Sequence, residues 1–317
     1  MTDSKKPQLL LVGASTPMAR LVAERLASQY RITGIDSQEP DQDASPYIEE
    51  FVHLNYTGRR LAELFRQTTF DALVHVGRLS STAKVSWEER FEQNVYGTKN
   101  LLALGLSHGV KKFVVLSTHL VYGAARDTDL YLREDAPLRA GEKFPELRDA
   151  IELDYATLGF IWRHRRVETI LLRPVHIVGR TVHAVLSTLL QRSFCPLLLG
   201  YDPPMQVIHE SDVARAIEIS VCKKGYGVFN VAGEGVLPLS AAIEIAGAKP
   251  LPIPPPLASI IAKLIPIHGG SVPPFLVNYA KYPTIVSDAA FRKTMGWEPQ
   301  LTITETLGDL AAARAGQ

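Results

Sequence analysis

The alternation of short apolar runs with helical patterns in the first half of the chain constrains the fold most. It is typical of parallel strands joined by helices that cover both sheet faces. Because such crossovers are right-handed, they build a doubly wound sheet. The predicted strands are Leu9–Val12, Arg31–Asp36, Phe51–Leu54, Ala72–Val76, Phe113–Ser117 and Thr169–Arg173. The predicted helices between them are Met18–Gln29, Arg59–Gln67, Glu88–His108 and Glu146–Arg163.

The second half of the chain has a looser pattern. After Gly179, helical patterns alternate with proline-rich connections and predict a smaller C-terminal lobe. These helical patterns are Ala184–Arg192, Ser211–Cys222 and Leu239–Ile245. We therefore expect an α/β protein with a Rossmann-type domain over residues 1–179. Residues 180–317 form mostly a substrate-binding lobe, with some segments returning to the core sheet.

The charge balance and the cysteine count exclude several classes of protein. Lys and Arg total 34 and Asp and Glu total 33, so no bulk basic field attracts nucleic acid or an anionic membrane. Only two cysteines occur, which excludes a disulfide framework and a four-cysteine zinc site, and we expect no metal. The polar N-terminus is unlike a signal peptide, so we expect a reducing, cytoplasmic setting.

The most apolar segment, Leu251–Ile267, is too interrupted to span a membrane. Prolines and Lys263 break it, whereas a span needs about 20 apolar residues. We expect a proline-rich loop that leads into a short amphipathic helix, and no integral membrane span.

A glycine turn follows the first predicted strand. Gly13, Thr16 and Ala19 stand at the spacing of the three small residues in a dinucleotide-binding turn. Thr16 places a side chain where the phosphates would lie, although its hydroxyl could donate a hydrogen bond to them. Pro17 suits a first helical turn. The predicted cofactor contacts in this turn are Gly13, Ser15, Thr16, Pro17 and Met18.

Asp36 closes the second predicted strand. A carboxylate at this position accepts hydrogen bonds from both ribose hydroxyls and repels a 2′-phosphate, which favours NAD over NADP. No arginine follows directly, since Ser37 and Gln38 come next. The alternative is an ordinary strand-turn-helix connection with a surface aspartate.

Several blocks along the chain resemble the extended short-chain dehydrogenase/reductase family, the NAD-dependent epimerase/dehydratase group. Their order matches that of the family over roughly residues 9–312. The blocks are Asp71–Val76, Asn94–Leu102, Val110–Gly123, Leu172–Gly179, Ile208–Ala214, Asn230–Gly233 and Met295–Pro299.

The resemblance implies a catalytic set near the cofactor. Thr118, four residues before Tyr122, matches the residue that orients the substrate oxygen. Tyr155 is the only tyrosine of the helix that carries the family's Tyr-x-x-x-Lys motif, but Gly159 stands where the lysine belongs. A tyrosine without a cationic neighbour keeps a pKa of about 10, so the usual proton relay cannot operate. His119 and His176 are alternative proton-transfer groups.

The resemblance also implies the remaining contacts. Arg78 could neutralise the pyrophosphate. Further predicted cofactor contacts are Asn55, Val76, Gly77, Arg78, Asn94, Leu116, Pro174 and His176. Predicted substrate contacts are Lys84, Arg173 and His209, while Glu152 and Asp154 are expected on a solvated helix face.

Three functions remain open from the sequence. The first is an NAD-dependent epimerase/dehydratase-like oxidoreductase that acts on a carbinol of a nucleotide sugar or a related hydroxy substrate. The second is a 3-hydroxysteroid-type or lipid-type dehydrogenase, and the third is a catalytically silent NAD-binding protein. The resemblance further implies a homodimer formed through the helices at Glu88–His108 and Glu146–Arg163.

Overall fold

The computed structural model describes residues 6–38, 46–268 and 270–315. Within these residues, the central feature is a seven-stranded parallel sheet in the order β11-β6-β5-β4-β1-β2-β3. Its strands are β1 (Gln8–Val12), β2 (Arg31–Asp36), β3 (Glu50–His53), β4 (Ala72–His75), β5 (Lys112–Leu116), β6 (Glu168–Pro174) and β11 (Gly227–Val231). The shorter strands are β7 (His176–Val178), β8 (Phe194–Leu198), β9 (Pro204–Met205), β10 (Val207–His209), β12 (Leu237–Pro238), β13 (Lys249–Ile253), β14 (Pro266–Ile267) and β15 (Gly270–Ser271).

Helices cover the sheet and form much of the second half of the chain. They are α1 (Pro17–Leu26), α2 (Arg59–Gln67), α3 (Trp87–Phe91), α4 (Thr98–Ser107), α5 (Ala140–Lys143), α6 (Arg148–Arg163), α7 (Val185–Leu190), α8 (Glu210–Cys222), α9 (Leu239–Ile245), α10 (Ala258–Leu264), α11 (Leu276–Tyr279), α12 (Ala289–Met295) and α13 (Ile303–Ala315). A π-helical segment, Glu92–Gly97, joins α3 to α4, so the predicted single helix has an irregular centre. Short 3₁₀ turns cover His119–Tyr122, Pro145–Leu147 and Pro255–Leu257.

The central strands are apolar on both faces because both faces are covered. Side chains of a strand alternate between the two sides of the sheet. Leu9 and Leu11 of β1 accordingly pack into one core cluster, and Leu10 and Val12 into the cluster on the opposite face, all fully buried. A continuous apolar run is therefore what a doubly covered parallel strand requires, and the predicted α/β class is confirmed.

The order of the strands changes direction beside β1. The chain moves outward from β1 through β2 to β3, and then returns to place β4 on the other side of β1. Such a switch leaves a crevice at the carboxyl ends of the strands, where ligands of open α/β sheets bind. The loops after β1 and β4 therefore lie beside the same crevice.

The second half adds one strand to the main sheet and builds a separate set of small sheets. Strand β11 pairs with β6, whereas β13 pairs in parallel with β8. This pairing corrects the prediction of a loop at the start of Leu251–Ile267. Pro250 and Pro252 are accommodated because β13 has a single partner strand, so its missing amides do not interrupt a second ladder. None of the described helices is both long enough and apolar enough to cross a membrane.

Candidate active site

The turn after β1 is built by a close contact between two backbones. Gly13 adopts φ +87°, and a Cβ atom at this position would lie 2.2 Å from the Cα atom of Gly77. A Cβ atom on Gly77 would in turn lie 2.6 Å from the Cα atom of Gly13. Glycine is required at both positions because the loops after β1 and β4 touch there. Gly77, predicted as a cofactor contact, thus also supports the turn.

Thr16 acts as the N-cap of α1. Its hydroxyl donates to the carbonyl of Gly13 at 2.7 Å and accepts the amide of Ala19 at 3.2 Å. The expectation that this hydroxyl is free to bind phosphate is therefore wrong, because its proton is already used within the turn. Pro17 occupies the first helical position and carries no N–H.

Asp36 is 4% exposed at the end of β2, which rules out the alternative of a surface aspartate. Its carboxylate accepts the amides of Ser15 and Gln38, both at 3.1 Å, and the hydroxyl of Ser15. The hydroxyl of Tyr56 also donates to it, at 3.3 Å. Burial and the nearby Asp36 charge raise the pKa of Tyr56 well above its usual value, so this hydroxyl remains a donor.

A side cavity of about 310 Å³ lies at the ends of β2 and β3. Ser37, Gln38 and Asn55 line it together with Arg60. The side chain of Asn55 is held there by accepting the amide and the hydroxyl of Thr57, at 2.9 and 2.7 Å. This cavity is next to Asp36 and so extends the crevice beyond that carboxylate.

The main cleft has a volume of about 440 Å³ and opens at the carboxyl ends of the sheet strands. Much of the predicted site meets on one of its walls. The predicted residues that line it are Met18, Val76, Arg78, Leu116, Thr118, His119, Pro174 and His176.

Thr118 and two histidines form the polar floor of this wall. Thr118 caps the 3₁₀ turn at His119–Tyr122 by accepting the amide of Leu120 at 3.3 Å, so its own proton is available to a ligand. The Nδ1 atom of His119 lies 3.1 Å from the carbonyl oxygen of Pro174, which assigns the proton to Nδ1. The rings of His119 and His176 meet nearly at right angles, with centroids 4.5 Å apart.

Both histidines are neutral at physiological pH. Burial lowers the pKa of His176 to about 4. Burial and the neighbouring His176 ring lower the pKa of His119 well below its usual range. Each ring therefore offers an unprotonated nitrogen near neutral pH.

Arg78 is the one cationic side chain among the described residues that line the cleft. Burial lowers its pKa, although Asp149 opposes this shift. Asn94 positions the adjoining loop by binding the amide and the carbonyl of Leu79, both at 2.8 Å, and the carboxylate of Asp149 at 2.5 Å. Asn94 thus supports the loop that carries Arg78 and does not itself line the cleft. We call the wall formed by Arg78, Thr118, His119 and His176 the cofactor wall.

Tyr155 does not lie in the cleft, which corrects its predicted catalytic role. Its side chain is 49% exposed, and the neighbouring Asp154 is fully buried. Successive helical residues point about 100° apart, so α6 cannot direct both inward. The prediction that Asp154 lies on a solvated face is wrong for the same reason.

Arg173, predicted to bind substrate, instead forms a buried ion pair with Asp154. Its guanidinium contacts the two carboxylate oxygens at 2.6 and 2.9 Å, and it also donates to the hydroxyl of Tyr122 at 2.7 Å. Asp154 additionally accepts the hydroxyl of Ser117, which lines the cleft, at 2.9 Å. This pair anchors the strand end that carries Thr118.

The other predicted substrate contacts also lie outside the cleft lining. His209 caps the start of α8 by accepting the amide of Ser211 at 3.2 Å, and its Nε2 atom lies 3.6 Å from Asp309. Lys84 is exposed, and the lining of the cleft stops at Thr82. A position in the loop after a strand was therefore insufficient to predict whether the side chains of Lys84 and His209 point into the cleft.

Sequence reasoning missed two features of the cleft. Glu146, in the 3₁₀ turn before α6, is an acidic residue of the cleft lining. The opposite wall is almost entirely apolar and comes from the second half of the chain. In the sequence, the apolar character of Leu251–Ile267 was the one feature that pointed to this apolar wall.

The comparisons with known proteins agree with this geometry. The model of the NAD dependent epimerase/dehydratase family matches residues 9–232. An uncharacterized protein of Mycobacterium tuberculosis is 25% identical over 98% of this chain and 86% of its own length.

Solved structures show the same fold at low sequence identity. UDP-glucose 4-epimerase of Thermotoga maritima is 18% identical with a TM-score of 0.76, and the match covers 98% of this chain and 99% of that one. The dTDP-glucose 4,6-dehydratase of Bacillus anthracis is 17% identical with a TM-score of 0.74 over 98% and 97% of the two chains. Since the family model spans most of the sequence, the chain belongs to the NAD-dependent epimerase/dehydratase family.

Proposed function

We propose that this protein is an NAD-dependent oxidoreductase that acts on a carbinol carbon in the main cleft. The observation that carries the proposal is that buried Asp36 binds Ser15 in the Gly13 turn, while Met18 of the following helix and Thr118 line the same main cleft. Family membership supports NAD as the cofactor. The solved dehydratase of Bacillus anthracis is itself described in complex with NAD.

The residues of the crevice fit a dinucleotide from end to end. Asp36 would receive the adenosine ribose in exchange for the hydroxyl of Ser15 or Tyr56, which it accepts in this structure, and the cavity at Asn55 would take the base. The start of α1 favours an anion, and the amide of Met18 has no hydrogen-bond partner among the described residues. Arg78 would face the pyrophosphate. Pro17 and Thr16 reduce the number of free amides, which makes the Arg78 charge more important here.

The reacting end of the cleft provides separate groups for orientation and proton transfer. When bound, NAD supplies a hydride acceptor, so the carbinol loses a hydride and a proton and becomes a ketone. Thr118 would donate its free hydroxyl proton to the substrate oxygen. His176 would accept a hydrogen bond from the carbinol hydroxyl through its unprotonated ring nitrogen, and the proton would pass on to solvent as the hydride leaves. His119, held by Pro174, would orient the His176 ring.

Calorimetry with NAD and NADP tests the cofactor assignment. We expect NAD to bind at least about tenfold more tightly than NADP, because Asp36 repels a 2′-phosphate. Asp36→Ala should weaken NAD binding by about tenfold or more. Asp202→Ala is the matched control, since Asp202 accepts the amide and hydroxyl of Ser240 in α9 in the same manner. Absence of heat with both cofactors would refute the proposal.

Thr118→Val then distinguishes an enzyme from a silent NAD-binding protein. The substitution removes the hydroxyl and keeps the branched shape, so we expect NAD affinity to stay within about twofold. NADH formation from an alcohol substrate, followed by absorbance, should fall by about a hundredfold or more. Thr82→Val, elsewhere on the cleft wall, should leave this rate nearly unchanged. If no alcohol in a broad panel reduces NAD, the result would support the alternative of a catalytically silent NAD-binding protein.

We also propose that the protein forms a homodimer through α6 and the helical run from α3 to α4. Large aromatic side chains on these elements are exposed: Trp87 at 44%, Tyr96 at 58%, Tyr155 at 49% and Trp162 at 61%. Exposed apolar clusters of this kind mark association surfaces. The double variant Tyr155→Glu, Trp162→Glu should sediment as a monomer, while a wild-type monomer at micromolar concentration would contradict the proposal.

A further inference from the structure

The wall of the cleft that faces Thr118 and the histidines carries almost no polar group. It is formed by α7, β8, β13, α10, α11 and the segments between them. Representative side chains are Leu189, Leu198, Ile253, Ile261, Val272 and Phe275. Among the described residues after Gly179 that line the cleft, none is Lys, Arg, Asp or Glu.

Tyr279 and His183, the polar aromatic side chains of the described part of this wall, each contact a neighbouring residue. The hydroxyl of Tyr279 donates to the carbonyl of Leu120 at 2.6 Å, and burial raises its pKa well above the usual value. The ring of His183 stacks on that of His268, with centroids 4.6 Å apart. The wall therefore presents a ligand mainly with hydrocarbon.

Three arginines of the second half are paired away from the cleft. Arg180 binds Asp309 at 2.6 Å, Arg215 binds Asp212 at 3.2 Å, and Arg192 donates to the carbonyl of Pro266. None of these arginines lines the cleft. Burying a diphosphate against apolar walls without a cation costs several kcal/mol, whereas each buried CH₂ group gains about 0.8 kcal/mol.

From these contacts we infer that the substrate is an uncharged, largely apolar alcohol or ketone, and not a nucleotide sugar. Its oxygen lies at Thr118, and its hydrocarbon part lies between α7, α10 and α11. This inference rests on the proposed function for the reacting end of the cleft. The second half of the chain forms the apolar wall, and this wall favours the lipid-type substrate over the nucleotide sugar among the alternatives that the sequence left open.

Helix α10 offers a matched pair of variants to test the inference. Ile261 lines the cleft, whereas Ile260 on the same helix is 60% exposed and does not. Ile261→Asp places a charge on the apolar wall, and Ile260→Asp places the same charge in solvent. Calorimetry with NAD and the unfolding midpoint establish that both variants are folded.

The binding experiment uses the uncharged dye Nile red on protein without cofactor. We expect dye fluorescence to rise with wild type and with Ile260→Asp, and dye affinity to fall at least about tenfold with Ile261→Asp. A long-chain secondary alcohol such as 2-hexadecanol should displace the dye, and UDP-glucose should not. Displacement by UDP-glucose alone, or equal dye binding by both variants, would overturn the inference.

The outcome separates this inference from the proposed function. If NAD binds and no apolar ligand does, the substrate class is wrong while the cofactor assignment stands. If the apolar ligands bind and NAD does not, the apolar cleft is real and the proposed oxidoreductase activity is wrong. With NAD present, turnover of apolar alcohols but not of UDP-glucose or dTDP-glucose would support both.

Discussion

The two walls of the main cleft are stabilised in different ways. On the cofactor wall, polar groups and backbone turns hold one another: Gly13 packs on Gly77, and Asp154 pairs with Arg173 below Thr118. On the opposite wall, hydrocarbon side chains such as Ile261 and Phe275 fill space without a buried charge. We expect the first wall to tolerate few substitutions, because its close backbone contact and its ion pair each require particular residues. We expect the second wall to tolerate any substitution that preserves side-chain volume and apolar character. Substrate choice is therefore expected to reside in the second wall.

The buried ion pair should give the largest effect. Arg173 is 2% exposed and Asp154 is fully buried, so Asp154→Ala leaves a guanidinium without its carboxylate. We expect the free energy of unfolding to fall by about 3–5 kcal/mol, measured by urea denaturation. Glu49→Ala, which breaks the exposed pair with Arg31, should cost about 1 kcal/mol or less. Equal losses would show that the cofactor wall does not depend on this pair.

The glycine contact should give the next largest effect. Gly13→Ala forces a side chain into a left-handed backbone and against Gly77, and we expect a loss of at least about 3 kcal/mol together with loss of NAD binding. Gly109→Ala is a close control, because Gly109 has φ +83° but nothing within 4 Å of its Cβ position. It should cost about 1–2 kcal/mol, from backbone strain alone. Calorimetry and urea denaturation give both quantities.

The neutral histidine makes stability depend on pH in a defined direction. The pKa of His176 is about 4 when folded and 6.5 when unfolded, so the unfolded chain takes up the proton first as the pH falls. Stability is lost on acidification from about pH 6.5 towards pH 4. Between about pH 7.5 and pH 5, His176→Gln should lose about 2 kcal/mol less than wild type. His75 titrates alike in both proteins, and loss of the His176 ring makes the pKa of His119 less depressed, which changes the difference in the same direction. A difference near zero would therefore count against the burial of His176.

The outer face of α10 should give the smallest effect. Leu264 is 74% exposed, so Leu264→Ser should change the unfolding free energy by about 0.5 kcal/mol or less and leave Nile red binding unchanged. A larger loss would mean that this face is packed, and the contrast between the inner and outer faces of α10 would then be wrong.

Prediction from sequence succeeded where local pattern and backbone geometry agree. The strand-helix alternation, the Gly13 turn and the position of Asp36 follow from residues close together in the chain. It was less successful with side-chain direction. Asp154 and Tyr155 are neighbours on one helix, and the pattern could not show which of them meets Arg173. The same limit applied to His209, which caps a helix instead of facing the cleft.

By itself, the sequence determined the parallel sheet and the dinucleotide turn, and it predicted a catalytic set of Thr118, Tyr155 and His119. Periodicity and turn chemistry are local properties, and so they can be read in one dimension. Only the tertiary structure decided that Arg173 is a structural cation and that hydrocarbon from distant segments covers the far wall of the cleft. Pairing and enclosure depend on contacts between residues far apart in the chain, because burial is a property of the packed molecule.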